Sequence, residues 1–84
     1  MPRFRVLLLV EPKPSARDPE GETLARELRR RGYRFVEAVR AGKAFEVTVE
    51  AGDGDEAVRL VEEMAREARL YNPLVHTARV MLVG

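Results

Sequence analysis

The sequence predicts an α+β domain of the ferredoxin-like type, with the element order β-α-β-β-α-β and with residues 1–84 forming a single domain. Two observations lead to this fold class. Lys43–Glu50 alternates apolar and polar residues with a period of two, which is typical of a half-buried strand. A strand-then-helix pattern precedes this central segment, and a helix-then-strand pattern follows it. Two right-handed β-α-β halves place both helices on one face of a four-stranded antiparallel sheet.

The first predicted strand covers Arg3–Glu11 and is apolar on both of its faces. Leu7 and Leu9 lie on the face opposite to the alternating core positions. A strand with two apolar faces needs cover on both sides, and one helical layer covers only one of them. We therefore expect a homodimer, formed by packing through the sheet or by strand exchange, and a tetramer is a further possibility for the isolated protein.

The first helix is predicted to run from Asp18 to about Arg31. Asp18 is a favourable N-cap, and Pro19 fits the first helical position. Gly32 is well placed to end the helix in the left-handed conformation. Gly21 lowers helix propensity within the first turn, so it is expected either to permit close packing or to leave room for an anion.

A β-hairpin is predicted at the centre of the chain. Its strands are Phe35–Arg40 and Lys43–Glu50, and a three-residue loop, Arg40–Gly42, joins them. Gly42 is expected to take the left-handed position of a β-bulge in this loop, since Ala41 does not suit a two-residue turn.

The second helix is predicted over Glu56–Tyr71, with Asp53 or Asp55 as its N-cap. Asn72–Pro73 is expected to end it, because asparagine tolerates the cap conformation and proline cannot continue a helix. The last strand is predicted over Leu74–Val83.

The composition excludes several classes of site. The chain has no cysteine, and His76 is its only histidine, so neither a disulfide nor a conventional zinc site is expected. The chain has 15 basic and 14 acidic residues, and this balance does not indicate a general nucleic-acid or membrane binder. The apolar runs are too short to cross a bilayer, and the expected location is the cytoplasm.

No motif in the chain indicates catalysis. Gly42-Lys43 resembles part of a phosphate loop, but the preceding glycine of that motif is missing and Ala44 replaces its Ser or Thr. Arg29–Arg31 is interpreted as a solvated helix end, and His76 as a packed or surface residue. Neither a Ser/His/Asp nor a Cys/His set can be assembled. We therefore expect no catalytic residue, metal site or cofactor in this chain.

Two binding functions remain compatible with the predicted fold. An RNA-binding domain shares the strand order, but only Phe4 and Phe45 could supply its stacking aromatics. A dimeric regulatory domain that binds a small-molecule effector is the main alternative to the function considered below. It would be distinguished by ligand-dependent thermal stabilisation of the isolated protein.

The whole chain resembles the PurS family, the small subunit of phosphoribosylformylglycinamidine synthase in purine biosynthesis. The segments that carry the resemblance, in order, are Lys13, Asp18–Gly21, Leu28, Gly32-Tyr33, Val36, Val39–Lys43, Glu46, Ala57, Met64 and Asn72–Val75. His76 departs from the family pattern, which commonly has a glutamate at this position.

The resemblance implies a non-catalytic subunit that acts as a dimer. In this family the large PurL subunit performs the ATP- and magnesium-dependent amidation, and the PurQ subunit releases ammonia from glutamine. The small subunit joins them and assists the passage of ammonia. At matching positions, Arg40 and Lys43 are expected to contact a partner. Structural roles are expected for Asp18, Pro19, Gly21, Gly42, Asn72 and Pro73.

Overall fold

The computed structural model describes residues 1–84 and contains three strands and two helices. They are β1 (Arg3–Pro12), α1 (Pro19–Arg30), β2 (Lys43–Glu50), α2 (Gly54–Glu67) and β3 (His76–Leu82). The strands form one antiparallel sheet in the order β2-β1-β3. The predicted α+β class, with an antiparallel sheet and two helices, is confirmed.

The core lies on one face of the sheet, beneath α2. In the central strand, Val6 and Leu8 are fully buried. Leu8 is opposite Phe45 of β2 and Val80 of β3 in the register of the sheet. From the helix, Ala57 and Val61 pack into the same cluster. The alternation that predicted the strands therefore places one set of side chains in the core, as a period of two requires.

A side-chain cap begins α2, and a left-handed residue ends it. The Asp53 carboxylate accepts a hydrogen bond from the Glu56 N–H at 2.8 Å, which confirms Asp53 as the N-cap. The helix ends at Glu67 rather than at Tyr71. Arg69 adopts a left-handed conformation, with φ of 55°, and this breaks the helical path before the predicted stop is reached.

The predicted boundaries of α1 are confirmed. Asp18 is its N-cap and accepts a hydrogen bond from the Gly21 N–H at 3.0 Å. Pro19 is the first helical residue. Gly32 follows the helix with φ of 105°, in the left-handed region that the end of a helix favours for glycine.

The position of α1 differs from the prediction. The helix makes no contact with any strand, whereas α2 contacts all three. The predicted hairpin is also wrong for the single chain, because residues 35–40 form no strand and β2 pairs only with β1. Residues 13–42 instead project from the sheet, and we call this segment the arm. The expectation that both helices cover one face is therefore not met within one chain.

Gly42 is required for a reason other than the predicted bulge. Its φ is not positive, and Gly32 is the only glycine in the left-handed region. A Cβ atom on Gly42 would collide with the carbonyl oxygen of Val10. The absence of a side chain therefore lets the end of the arm approach β1 closely.

The second face of the sheet is partly covered by its own charged side chains. Leu7 and Leu9 are half-buried rather than exposed. Ion pairs lie on this face, between Arg5 and Glu46 at 3.3 Å and between Arg79 and Glu11 at 2.6 Å. The expected need for a partner over Leu7 and Leu9 is therefore weaker than the sequence indicated.

The chain is too elongated to be a compact domain. Its radius of gyration is 16.1 Å, against about 12 Å for a compact chain of this length. It exposes 6293 Å², about 1,200 Å² more than a compact chain of its mass. Neither helix has the length and apolar character needed to cross a membrane.

Candidate functional site

The base of the arm is held together by the Asp18 carboxylate. Oδ1 accepts the hydrogen bond from Gly21 within α1, and Oδ2 accepts a second one from the Ala41 N–H at 2.7 Å. The first bond caps the helix, and the second ties the start of the arm to its end. The sequence predicted the cap but gave no signal for the bond to Ala41.

The same hydrogen bonds explain the acidity of this group. The Ala41 and Gly21 N–H groups lower the pKa of Asp18, and the positive charge of Arg40 adds to the effect. Hydrogen bonds to a carboxylate favour its charged form. Asp18 therefore remains ionised throughout the neutral range.

Within the arm, α1 packs against the chain that returns from its tip. A Cβ atom on Gly21 would collide with the Val39 carbonyl oxygen, so close packing, rather than room for an anion, explains this glycine. Near the other end of α1, Arg29 donates to the carbonyls of Val36 and Glu37 at 3.2 and 3.1 Å. The return segment, residues 36–42, thus runs antiparallel to the helix.

The spacing of these contacts is compatible with an extended return segment. From Arg29 to Asp18 the helix axis advances by about 16 Å, at 1.5 Å per residue. The return segment covers much of this length between Glu37 and Ala41, and an extended chain advances by at most about 3.6 Å per residue. Residues 36–42 form no hydrogen-bonded strand within the chain and have no neighbouring strand.

The two residues predicted to contact a partner lie at the base of the arm. Arg40 and Lys43 are both exposed, and neither forms an ion pair within the chain. Arg40 lies close enough to Asp18 for its positive charge to lower the pKa of that carboxyl group. Lys43 begins β2, opposite Val10, and lines a cavity of about 290 Å³ with Arg17 and His76.

Asn72 organises the loop between α2 and β3. Its Oδ1 accepts a hydrogen bond from the Leu74 N–H at 3.0 Å, and its own N–H donates to Nδ1 of His76 at 3.2 Å. Its carbonyl accepts from the N–H groups of Val75 and His76. The predicted structural role of Asn72 therefore has a geometric basis, although the residue does not end the helix. Pro73 lies exposed in the same loop.

An apolar surface beside α2 has no cover within the chain. Phe45, Val47 and Val49 of β2 are only half-buried, although they lie on the core face. Leu60 and Met64 are 42 % and 36 % exposed. These two lie on the flank of α2 that faces β2, because Glu62 and Arg66 on the opposite flank line a cavity with β3. We call these five residues the open core face.

No three His, Cys, Asp or Glu side chains lie together in a group that could bind a metal ion. No buried side-chain nitrogen or oxygen lacks a hydrogen-bond partner. The chemically distinctive features are the charged base of the arm and the open core face.

Comparison with known proteins identifies the family. The family model for PurS, described as phosphoribosylformylglycinamidine (FGAM) synthase, matches residues 5–84. The phosphoribosylformylglycinamidine synthase subunit PurS of Thermotoga maritima is 35 % identical over 80 residues, which cover 95 % of this chain and 96 % of the relative. The corresponding Bacillus subtilis subunit is 37 % identical over 76 residues, which cover 90 % and 88 %.

Solved structures agree with the sequence relatives. The crystal structure of the PurS subunit from Thermotoga maritima superposes with a TM-score of 0.89 at 33 % identity, and covers 98 % of this chain and 93 % of that one. A chain in the structure of PurLQS from the same organism superposes with a TM-score of 0.88 at 34 % identity, covering 99 % and 100 %. By sequence and by structure, this chain belongs to the PurS family of phosphoribosylformylglycinamidine synthase.

Proposed function

We propose that this protein is the small, non-catalytic subunit of phosphoribosylformylglycinamidine synthase. It joins the large synthetase subunit, PurL, to the glutaminase subunit, PurQ, and assists the transfer of ammonia between them. The observation that carries the proposal is the end-to-end match to PurS subunits, including the chain in the PurLQS structure. ATP and magnesium act in the large subunit, and this subunit holds no cofactor.

The chemistry of ammonia gives a bridging subunit a physical task. Ammonia that reaches bulk water is protonated and lost as a nucleophile, so its path between two active sites must exclude water. A subunit that seals the junction between two enzymes contributes to turnover without touching either substrate. All three subunits are expected to act in the cytoplasm.

The second part of the proposal is a homodimer that exchanges arms. In one chain, α1 leaves the open core face without cover, and the return segment lacks a neighbouring strand. The outer edge of β2 also has no partner. If the arm of a second copy lies over these features, its return segment extends the sheet and its α1 covers the open core face. Each copy then has the four-stranded, two-helix arrangement that the sequence predicts.

The surfaces to be joined match in character and in area. The arm contributes Leu24, which is 47 % exposed, and Leu28, while the open core face contributes five apolar side chains. The excess exposed surface of about 1,200 Å² per chain exceeds the roughly 800 Å² that each partner buries in a standard interface. A two-fold arrangement makes the exchange reciprocal, as closed dimers require.

Reconstitution tests the proposed function. The tagged protein is mixed with the large synthetase and glutaminase subunits, glutamine and Mg-ADP, and the captured complex is then assayed for glutamine-dependent amidation. We expect both larger subunits to be captured and glutamine-dependent activity to be restored. A folded, dimeric protein that neither captures them nor restores activity would refute the proposal. Ammonia-dependent amidation by the large subunit serves as the control, since it needs no ammonia transfer.

A further inference from the structure

A second surface, separate from the open core face, lies at the loop between α2 and β3. An open groove of about 800 Å³ is formed by the end of α2 and this loop. Its apolar part is Leu70 and Leu74, and Val75 is exposed beside it. Leu74 is 83 % exposed, which is an unfavourable position for a leucine side chain in water. We call this surface the loop groove.

Hydrogen bonds fix the backbone of the loop around Leu74. The hydrogen bond from the Leu74 N–H to Asn72 Oδ1 fixes the backbone immediately beside the exposed side chain. The following residue, Val75, is tied on both sides, by its N–H to the Asn72 carbonyl and by its carbonyl to the N–H of Lys13. A loop whose backbone is already fixed loses less conformational entropy when a partner covers it, so this loop is prepared for binding.

The charges of the loop groove have one sign. Arg66 and Arg69 line it, and no acidic residue does. Neither arginine forms an ion pair within the chain. Because the chain as a whole is nearly neutral, with a net charge of +1, this local excess of basic groups is a specific feature. It complements a segment that carries carboxylates.

We propose that the loop groove binds an acidic segment with an apolar anchor on one of the two larger subunits. The anchor packs against Leu70 and Leu74, and its flanking carboxylates pair with Arg66 and Arg69. The inference rests on the proposed function, since it requires the assembly. The tip of the arm of a second copy fits the groove poorly, because it carries four arginines, Arg29, Arg30, Arg31 and Arg34.

The test uses two variants with matched controls. Leu74→Ser removes the anchor contact, and Arg66→Glu reverses a charge in the groove. Their controls are Val83→Ser, at an exposed site just after β3, and Arg59→Glu, at an exposed site on α2 outside the groove. Each protein is titrated into the larger subunits at two salt concentrations, and its own mass in solution is measured by light scattering.

We expect each groove variant to bind the larger subunits about tenfold more weakly, and each control to bind within about twofold of wild type. Arg66→Glu should also reduce the dependence of affinity on salt. Wild-type affinity in both groove variants would overturn the proposal while leaving the proposed function intact. A changed oligomeric state in Leu74→Ser would overturn it by assigning the groove to a contact between copies. Failure of the wild-type protein to assemble would overturn both.

Discussion

Asp18 and Ala41 are 23 positions apart in the chain, yet Oδ2 of Asp18 accepts a hydrogen bond from the Ala41 N–H at 2.7 Å. The other oxygen of the same carboxylate caps α1 through Gly21. One side chain therefore closes the base of the arm and starts its helix. Because α1 makes no contact with the sheet, few other interactions hold the base of the arm together.

Substitution of Asp18 separates these two contacts. Asp18→Ala removes both acceptors, whereas Asp18→Asn keeps one carbonyl oxygen and can serve only one of the two N–H groups. We expect Asp18→Ala to lower stability more than Asp18→Asn. Both should weaken the proposed dimer, because the arm is no longer held in one orientation. Urea denaturation and sedimentation of the three proteins would measure the order. Equal stability of wild type and Asp18→Ala would show that the carboxylate is not needed to close the arm.

The ionisation of Asp18 gives a pH dependence with a definite sign. Its pKa in the folded protein lies below the ordinary value of 3.8, so ionised Asp18 contributes stability at neutral pH. This contribution is fully present above the unfolded-state pKa and is lost as the pH falls through the lower, folded-state pKa. The difference in unfolding free energy between wild type and Asp18→Asn should be constant above about pH 5 and shrink below about pH 4. Urea denaturation over this range measures it, and a difference that stays constant would contradict the expectation.

The arm exchange predicts that exposed apolar residues of α1 hold the dimer together. Leu24→Ala removes an apolar contact while keeping high helix propensity, so the arm itself should stay folded. We expect dimer dissociation to become about tenfold more favourable, and the midpoint of thermal unfolding to depend more strongly on protein concentration. Leu74→Ala, which removes an equally large side chain from the loop groove, is the control. If both variants remain as dimeric as wild type, α1 does not cover the open core face of a second copy.

Local sequence patterns predicted the elements, and they failed where the outcome depended on distant contacts. The alternation of Lys43–Glu50 and the capping residues Asp18 and Gly32 act within a few positions, so they could be identified from the sequence. The Asp18 bond to Ala41 and the approach of Gly42 to Val10 join residues far apart in the chain. A closed hairpin and an exchanged arm bury the same apolar stripe of α1. Periodicity alone therefore cannot distinguish them.

The last prediction concerns the charged pair at the base of the arm. Arg40 and Lys43 are exposed and have no ion-pair partner in the chain, so their loss should leave the fold intact. We expect Arg40→Ala with Lys43→Ala to bind the larger subunits about two- to thirtyfold more weakly, since exposed ion pairs contribute about 0.2–1 kcal/mol each. Co-purification with the two larger subunits measures the effect.

A matched double variant, Arg34→Ala with Arg59→Ala, removes two exposed charges that also lack an ion-pair partner and should bind as the wild type does. The charge of Arg40 also helps to lower the pKa of Asp18. The mass of the Arg40→Ala, Lys43→Ala variant in solution must therefore be measured alongside its binding. If the Arg40→Ala, Lys43→Ala variant is still a dimer but no longer binds the larger subunits, the contact with them lies at the base of the arm. Unchanged co-purification by a dimeric double variant would show that the partners bind elsewhere, and would leave the loop groove as the site to examine.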